Sequence, residues 1–95
     1  MAIGTTRKDP NATRKYTVSW ERWLENLSDE GQTIQESTWI VPEGVEKLDD
    51  SHTEDKTIIW LKGGTPGARY NIVNRITTDD GQIEDATLEL IIKQN

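Results

Sequence analysis

The sequence predicts an all-β fold of six or seven antiparallel strands in two layers, and three observations carry that prediction. Apolar residues alternate with polar ones in several short stretches, the two-residue period of a strand buried on one face. Glycine, proline and acidic turn residues punctuate those stretches at spacings of roughly ten to fifteen residues. No stretch sustains the 3.6-residue period and the end caps of a helix of ten or more residues. Without helices to cover it, one sheet must bury its apolar face against another.

Residues 1–13 are polar, contain Gly4 and Pro10 and show no period, which predicts an extended N-terminal arm ahead of a single domain over 14–95. In Tyr16-Thr17-Val18-Ser19-Trp20 the apolar side chains alternate with hydroxyl residues, so Tyr16, Val18 and Trp20 are expected to point inward. Trp23, Leu24 and Leu27 are spaced as one helical turn would space them, which makes residues 21–27 a short connector. Asp29-Glu30-Gly31 signals a turn, and the β-branched run from Thr33 to Val41 reads as a strand that stops at Pro42. Val45 to Leu48 is a weak short strand, and the charged run from Asp49 to Asp55 reads as a solvated loop.

Lys56 to Lys62 carries Ile58 and Trp60 on one face and Ile59 and Leu61 on the other, the pattern of a central strand with both faces covered. Trp20 and Trp60 are accordingly expected in the core. Gly63-Gly64-Thr65-Pro66-Gly67 ends that strand. Tyr70, Ile72, Ile76 and Thr78 then alternate, as do Ala86, Leu88, Leu90 and Ile92 beyond Asp79-Asp80-Gly81, which predicts a long hairpin. The turns and strands suggest a two-layer sandwich, and the entry Gly67-Ala68-Arg69-Tyr70, which looks like the corner at which sandwich domains bond a tyrosine hydroxyl to backbone, agrees with it. A partly closed barrel is the alternative.

Composition narrows the function classes. Ninety-five residues make one module, and Ile, Val and Leu supply only about a fifth of them, so the core is thin. Trp20, Trp23, Trp39 and Trp60 nevertheless argue for a folded chain. With no cysteine there is no disulfide, thiolate nucleophile or cysteine-based zinc site. Neither a signal peptide nor an apolar run of membrane-spanning length stands out, which predicts synthesis in the cytoplasm and no membrane partner. The formal charge of −6 divides unevenly: Arg7, Lys8, Arg14 and Lys15 against Asp9 make residues 1–15 +3, leaving −9 on the rest. An acidic body repels phosphates, so nucleic acid is not an expected partner.

The chemistry-bearing residues do not assemble into a catalytic pattern. His52 stands in the charged run with no nucleophile pattern around it. The pairs Asp49-Asp50, Glu54-Asp55 and Asp79-Asp80 lack the alternating oxygen ligands of a calcium loop, so neither metal nor cofactor is expected. The glycine-rich turn lacks the Gly-Lys-Ser/Thr ending of a phosphate loop and precedes a strand. A binding role fits better than an enzyme. Its candidate partner-binding residues are Arg7, Lys8, Arg14 and Lys15 of the basic arm, with Trp23 in the connector and Trp39 on a strand side that a partner would cover.

The order Lys8-Asp9-Pro10, Tyr16-Thr17-Val18-Ser19-Trp20 and Ser37-Thr38-Trp39-Ile40-Val41-Pro42 resembles a family of small tailed-phage virion proteins described as fiber-tail adaptors. The resemblance continues through Trp60-Leu61, Gly63-Gly64-Thr65-Pro66-Gly67, Tyr70 and Ile76-Thr77-Thr78, and so covers about residues 7–92. It implies an immunoglobulin-like fold and a non-enzymatic structural role, joining tail fibers or spikes to the tail of the virion. It also implies other virion proteins as partners, several copies in a symmetric assembly, and manufacture in the bacterial host cytoplasm. The basic arm and acidic body suggest docking in which an extended segment adds a strand to a neighbour's sheet edge. A capsid decoration protein and a carbohydrate-binding module that stacks sugars on Trp23 or Trp39 are the other classes.

Overall fold

The computed structural model of the chain describes residues 2–25 and 32–93. Leu27 and the turn expected at Asp29–Gly31 lie outside those residues. Seven strands and one short helix follow in chain order among the described residues: β1 (Ala2–Lys8), β2 (Thr13–Ser19), α1 (Glu21–Glu25), β3 (Ile34–Ile40), β4 (Val45–His52), β5 (Lys56–Gly63), β6 (Arg69–Thr78) and β7 (Ile83–Ile92). The first sheet has four strands in the order β1-β7-β6-β3, and the second has three in the order β2-β5-β4.

The long hairpin anchors the first sheet. Its two-residue period puts Ile72, Asn74, Ile76 and Thr78 of β6 and Ala86, Leu88, Leu90 and Ile92 of β7 on the buried side. In the second sheet β5 lies between β2 and β4, antiparallel to both, and turns Thr57, Ile59 and Leu61 inward. Val18, Trp20, Leu24, Ile34, Trp39 and Val45 complete the core between the sheets.

Three differences from the sequence reading have identifiable causes. Residues of the expected arm form β1, which pairs parallel with β7 from Ala2↔Thr87 to Lys8↔Ile92, so the strands are not all antiparallel. The arm does add a strand to a sheet edge, but the edge belongs to its own chain. Its polar residues hid this, because an edge strand with one exposed face needs few apolar positions. Second, β4 continues through Asp49, Asp50, Ser51 and His52, which were expected as loop, because each pairs with β5 across a register shift at Lys47/Asp49. Backbone pairing outweighs the low strand propensity of Asp there. Third, a register shift between Ile34 and Glu36 brings Ile34 to the same inward side as Trp39, where strict alternation separates them.

A fully buried polar cluster joins the sheets at their centre. The Asn74 side chain, with no exposed surface, accepts hydrogen bonds from Trp20 Nε1 at 3.0 Å and Thr57 Oγ1 at 2.7 Å. Its amide nitrogen donates to Ser37 Oγ at 3.0 Å and to the Thr38 carbonyl at 3.2 Å. All four hydrogen-bonding positions of the amide are thus used, the condition under which a buried polar group is tolerated. The expected tyrosine corner is present: at the start of β6 the Tyr70 hydroxyl accepts from the Thr65 backbone N–H at 3.1 Å. Gly44, at φ +106°, passes so close to this ring that a Cβ there would lie 2.8 Å from the Tyr70 hydroxyl oxygen.

Candidate functional site

The six residues expected at a partner surface do not converge. Arg7 is exposed on β1, where it pairs with Ile91, while Arg14 and Lys15 are exposed on β2 of the other sheet. Lys8 is only 2 % exposed, and its ammonium donates to the Gly63 carbonyl at 2.7 Å and the Asp9 carbonyl at 2.9 Å. It therefore ties β1 to the end of β5 instead of facing solvent. Burial pushes its pKa below the usual lysine range, with neighbouring Asp9 opposing the shift.

Trp39 is 7 % exposed and belongs to the core, which corrects the expectation that a partner covers its side of β3 and removes it as a sugar platform. The outward side of that strand instead shows Thr38 and Ile40, the latter 45 % exposed. Trp23 on α1 is half-buried and meets Trp20 edge to face, with ring centroids 5.3 Å apart and planes at 71°. It packs against the core with part of its surface still open.

Trp60, expected in the core, is 40 % exposed on the outer face of the second sheet. The strand that carries it shows why: Lys56, Ile58, Trp60 and Lys62 share one side of β5, and Thr57, Ile59 and Leu61 share the other, which is buried. The two lysines on the tryptophan side were the signal that this side faces water. Cross-strand pairing sets Lys15 of β2 and Asp49 of β4 on either side of Trp60 in one row. The Lys15 ammonium lies 5.9 Å from the indole centroid, within cation–π range. Thr17, Ile58 and Ser51 form the row on one side, and Thr13, Lys62 and Glu46 the row on the other. Leu48, at the register shift of β4, adds a further side chain that is 48 % exposed.

The charges on this face are striped. Lys15 stands on β2 and Lys56 and Lys62 on β5, opposite Glu46 and Asp49 on β4. Lys62 lies 4.0 Å from Glu46 and Lys56 lies 3.2 Å from Asp55, whereas Lys15 and Asp49 make no ion pair among the described residues. On the outer face of the first sheet four charges form two pairs. Arg75 holds Asp85 through two contacts of 2.8 and 3.0 Å, and Arg69 meets Glu89 at 3.7 Å. Lys15 is already over the Trp60 ring and the Asp49 carboxylate accepts the Asp50 N–H at 2.9 Å, so what this face offers is the exposed indole, a residue that protein interfaces favour at their centres with charges toward the rim.

A shallow groove beside the free edge of β2 is lined by Tyr16, Thr17, Val18, Ser19 and Leu88. The Tyr16 hydroxyl is buried there without a hydrogen-bond partner among the described residues, and burial raises its pKa. None of the lining side chains offers a nucleophile held by a base. Among the described residues no three histidine or carboxylate groups come together as a metal site requires. Both open surfaces are suited to contact with another macromolecule. Residues 8–91 match the model of a family described as podophage GP4 fiber-tail adaptor protein gp77. No curated protein matches the chain.

Proposed function

The chain belongs to the podophage GP4 fiber-tail adaptor family, and from that premise we propose that it is a non-enzymatic structural part of a phage tail that attaches fibers or spikes to it. It is made in the host cytoplasm and built into the virion in several copies, through contacts with other tail and fiber proteins. It requires neither nucleic acid nor membrane. The observation that carries the reading is the open face around Trp60. A small adaptor needs a desolvatable aromatic anchor with charges around it, and the second sheet presents one. Arg7, Arg14, Lys15 and the open part of Trp23 are further contact residues in this reading.

The scaffold is immunoglobulin-like on the same reading. Strands two, five and four form one sheet and three, six and seven the other, the grouping of the constant-type domain, with the first strand moved beside the last. Trp39 is buried on the third strand and Tyr70 makes its corner at the start of the sixth, two further marks of that architecture.

The test is assembly. Particles made with Trp60→Ala in place of the wild-type chain are expected to lose fibers, or the adaptor itself, at a thermal stability close to wild type. Particles with full fiber occupancy from this variant and from Lys15→Glu alike would reject the assignment of the face.

A further inference from the structure

We infer that the free edge of β2 takes up an extended, acidic segment of a different tail or fiber protein as an added strand. The inference rests on the adaptor reading for the source of that segment, and is independent of the Trp60 face. Four strands end the two sheets, β1 and β3 in the first and β2 and β4 in the second. An edge strand offers unpaired backbone groups, and a bulge is one device that keeps a foreign strand from pairing with them. The ladders of β1, β3 and β4 are each interrupted by a register shift, at Ala2/Gly4, Ile34/Glu36 and Lys47/Asp49. Only β2 keeps an unbroken register, from Thr13↔Lys62 to Ser19↔Lys56.

The backbone groups on that edge can be named. In an antiparallel ladder hydrogen-bonded pairs alternate with non-bonded ones. The Trp20 N–H donates at 2.8 Å to the carbonyl of Asp55, the residue opposite it just past Ser19↔Lys56. Arg14, Tyr16 and Val18 therefore share the bonded positions with Trp20, and Lys15, Thr17 and Ser19 turn their N–H and C=O groups away from β5. No backbone partner among the described residues meets them.

The place beside β2 is also roofed. Leu88 of β7 shares a groove with Tyr16 and Val18, and β1 continues the first sheet beyond β7, past the edge of β2. Pairing with β7 puts Gly4 and Thr6 on the inner side with Leu88 and Leu90. Gly4 is exposed and a Cβ there would meet nothing within 4 Å, so the space below this end of β1 is open. An added strand fills it and gives the second sheet a fourth strand to match the first. It also brings a carbonyl or carboxylate to the Tyr16 hydroxyl, which has no partner among the described residues.

Arg14 and Lys15 set the charge of the occupant. Neighbours on a strand point to opposite faces, so an incoming strand meets a cation on each face, and cross-strand pairs favour opposite charges. Arg14 makes no ion pair among the described residues. The basic first strand of a second copy is disfavoured by the same charges.

Amide hydrogen exchange of the chain alone and in purified phage particles tests this. Alone, the amides of Lys15, Thr17 and Ser19 are expected to exchange fast while those of Tyr16 and Val18 are protected; in particles the first three slow by on the order of hundredfold. Thr17→Pro removes an edge N–H that the fold itself does not use, and is expected to lower fiber occupancy at least about tenfold while Thr17→Ala keeps it. Arg14→Glu is expected to lower it as well. Fast exchange of the three amides in particles that hold the chain overturns the inference, as does full occupancy with a folded Thr17→Pro; if that variant misfolds, the wild-type exchange decides alone. Full occupancy with Arg14→Glu overturns the acidic assignment. Protection that appears in the chain alone between about 10 µM and about 1 mM gives the edge to a second copy and overturns the foreign segment. Fibers lost with Trp60→Ala while the three amides stay fast in particles overturn the edge alone and keep the adaptor reading, whereas particles without the chain overturn both.

Discussion

Replacing Asn74 by Leu tests how far the buried polar cluster, more than the thin aliphatic core, specifies the packing of the two sheets. The side chains are similar in size, so the change is one of hydrogen bonding. Trp20 Nε1 loses its acceptor at 3.0 Å and keeps only Thr57 Oγ1 at 3.3 Å, while the Thr57 hydroxyl loses its acceptor at 2.7 Å. Ser37 is half-buried and can turn to water. Two buried donors left short at about 1–3 kcal/mol each, less some gain from the added apolar surface, give a net loss of about 3 kcal/mol. In a domain of this size that lowers the melting temperature by about 12–24 °C, and against a total stability of about 5–15 kcal/mol it is a large fraction.

Urea unfolding followed by tryptophan fluorescence reads the loss, because Trp20 belongs to the cluster. Adding Thr57→Val removes the stranded hydroxyl but also takes the last acceptor from Trp20 Nε1, so the two changes are expected to couple, with the double variant departing by more than about 0.5 kcal/mol from the sum of the two singles. A loss below about 1 kcal/mol for Asn74→Leu, or additivity within about 0.5 kcal/mol, would refute the reasoning.

Three further predictions concern the periphery. Gly44→Ala places a side chain at φ +106° and a Cβ 2.8 Å from the Tyr70 hydroxyl, so it should cost about 1–3 kcal/mol, and less in a Tyr70→Phe background where the nearest atom is gone; thermal melts of the four combinations decide it. Tyr16→Phe removes a buried hydroxyl that has no partner among the described residues and is expected to leave stability unchanged or raise it by up to about 1 kcal/mol, measured by the urea midpoint. Hydrogen bonds from Thr78 and Gln82 hold the Asp80 carboxyl below its usual range, and Arg75 does the same for Asp85. Folded-state pKa values below the unfolded ones contribute stability that is complete above about pH 4 and is lost as pH falls through the folded values. Melting temperature should therefore drop below about pH 4, and less steeply in Asp85→Asn.

Much of the fold was legible wherever side chains alternate against a single core. The hairpin of β6 and β7 and the inward set Tyr16, Val18, Trp20 needed only the two-residue period, and Tyr70 needed only its place after a glycine turn. What was not legible depended on pairing partners. Nothing local in Ala2–Lys8 announces a strand, because its place is set by the free edge of β7. Asp49 to His52 look like loop until β5 supplies the hydrogen bonds.

The candidate site followed the same rule. The parity of Trp60 was readable from Lys56 and Lys62, but whether the outer face of a central strand is covered depends on what packs there, and alternation alone does not decide it. Lys8 shows the reverse case. A lysine in a basic, polar stretch reads as a surface charge, yet the chain folds its ammonium onto the Gly63 carbonyl.

The parallel pairing of β1 with β7 also decides how the molecule bears mechanical load. Chain direction places the start of β1 beside Thr87 and the end of β7 beside Lys8, so the polypeptide enters at one end of this strand pair and leaves at the other. Tension applied between the two termini acts along the strands, and the cross-strand hydrogen bonds resist it together, in shear. An antiparallel terminal pair would have both ends at the same side, and its bonds would open one after another like a zip. A load carried between the two ends of the described chain would meet, in this first strand, a shear clamp.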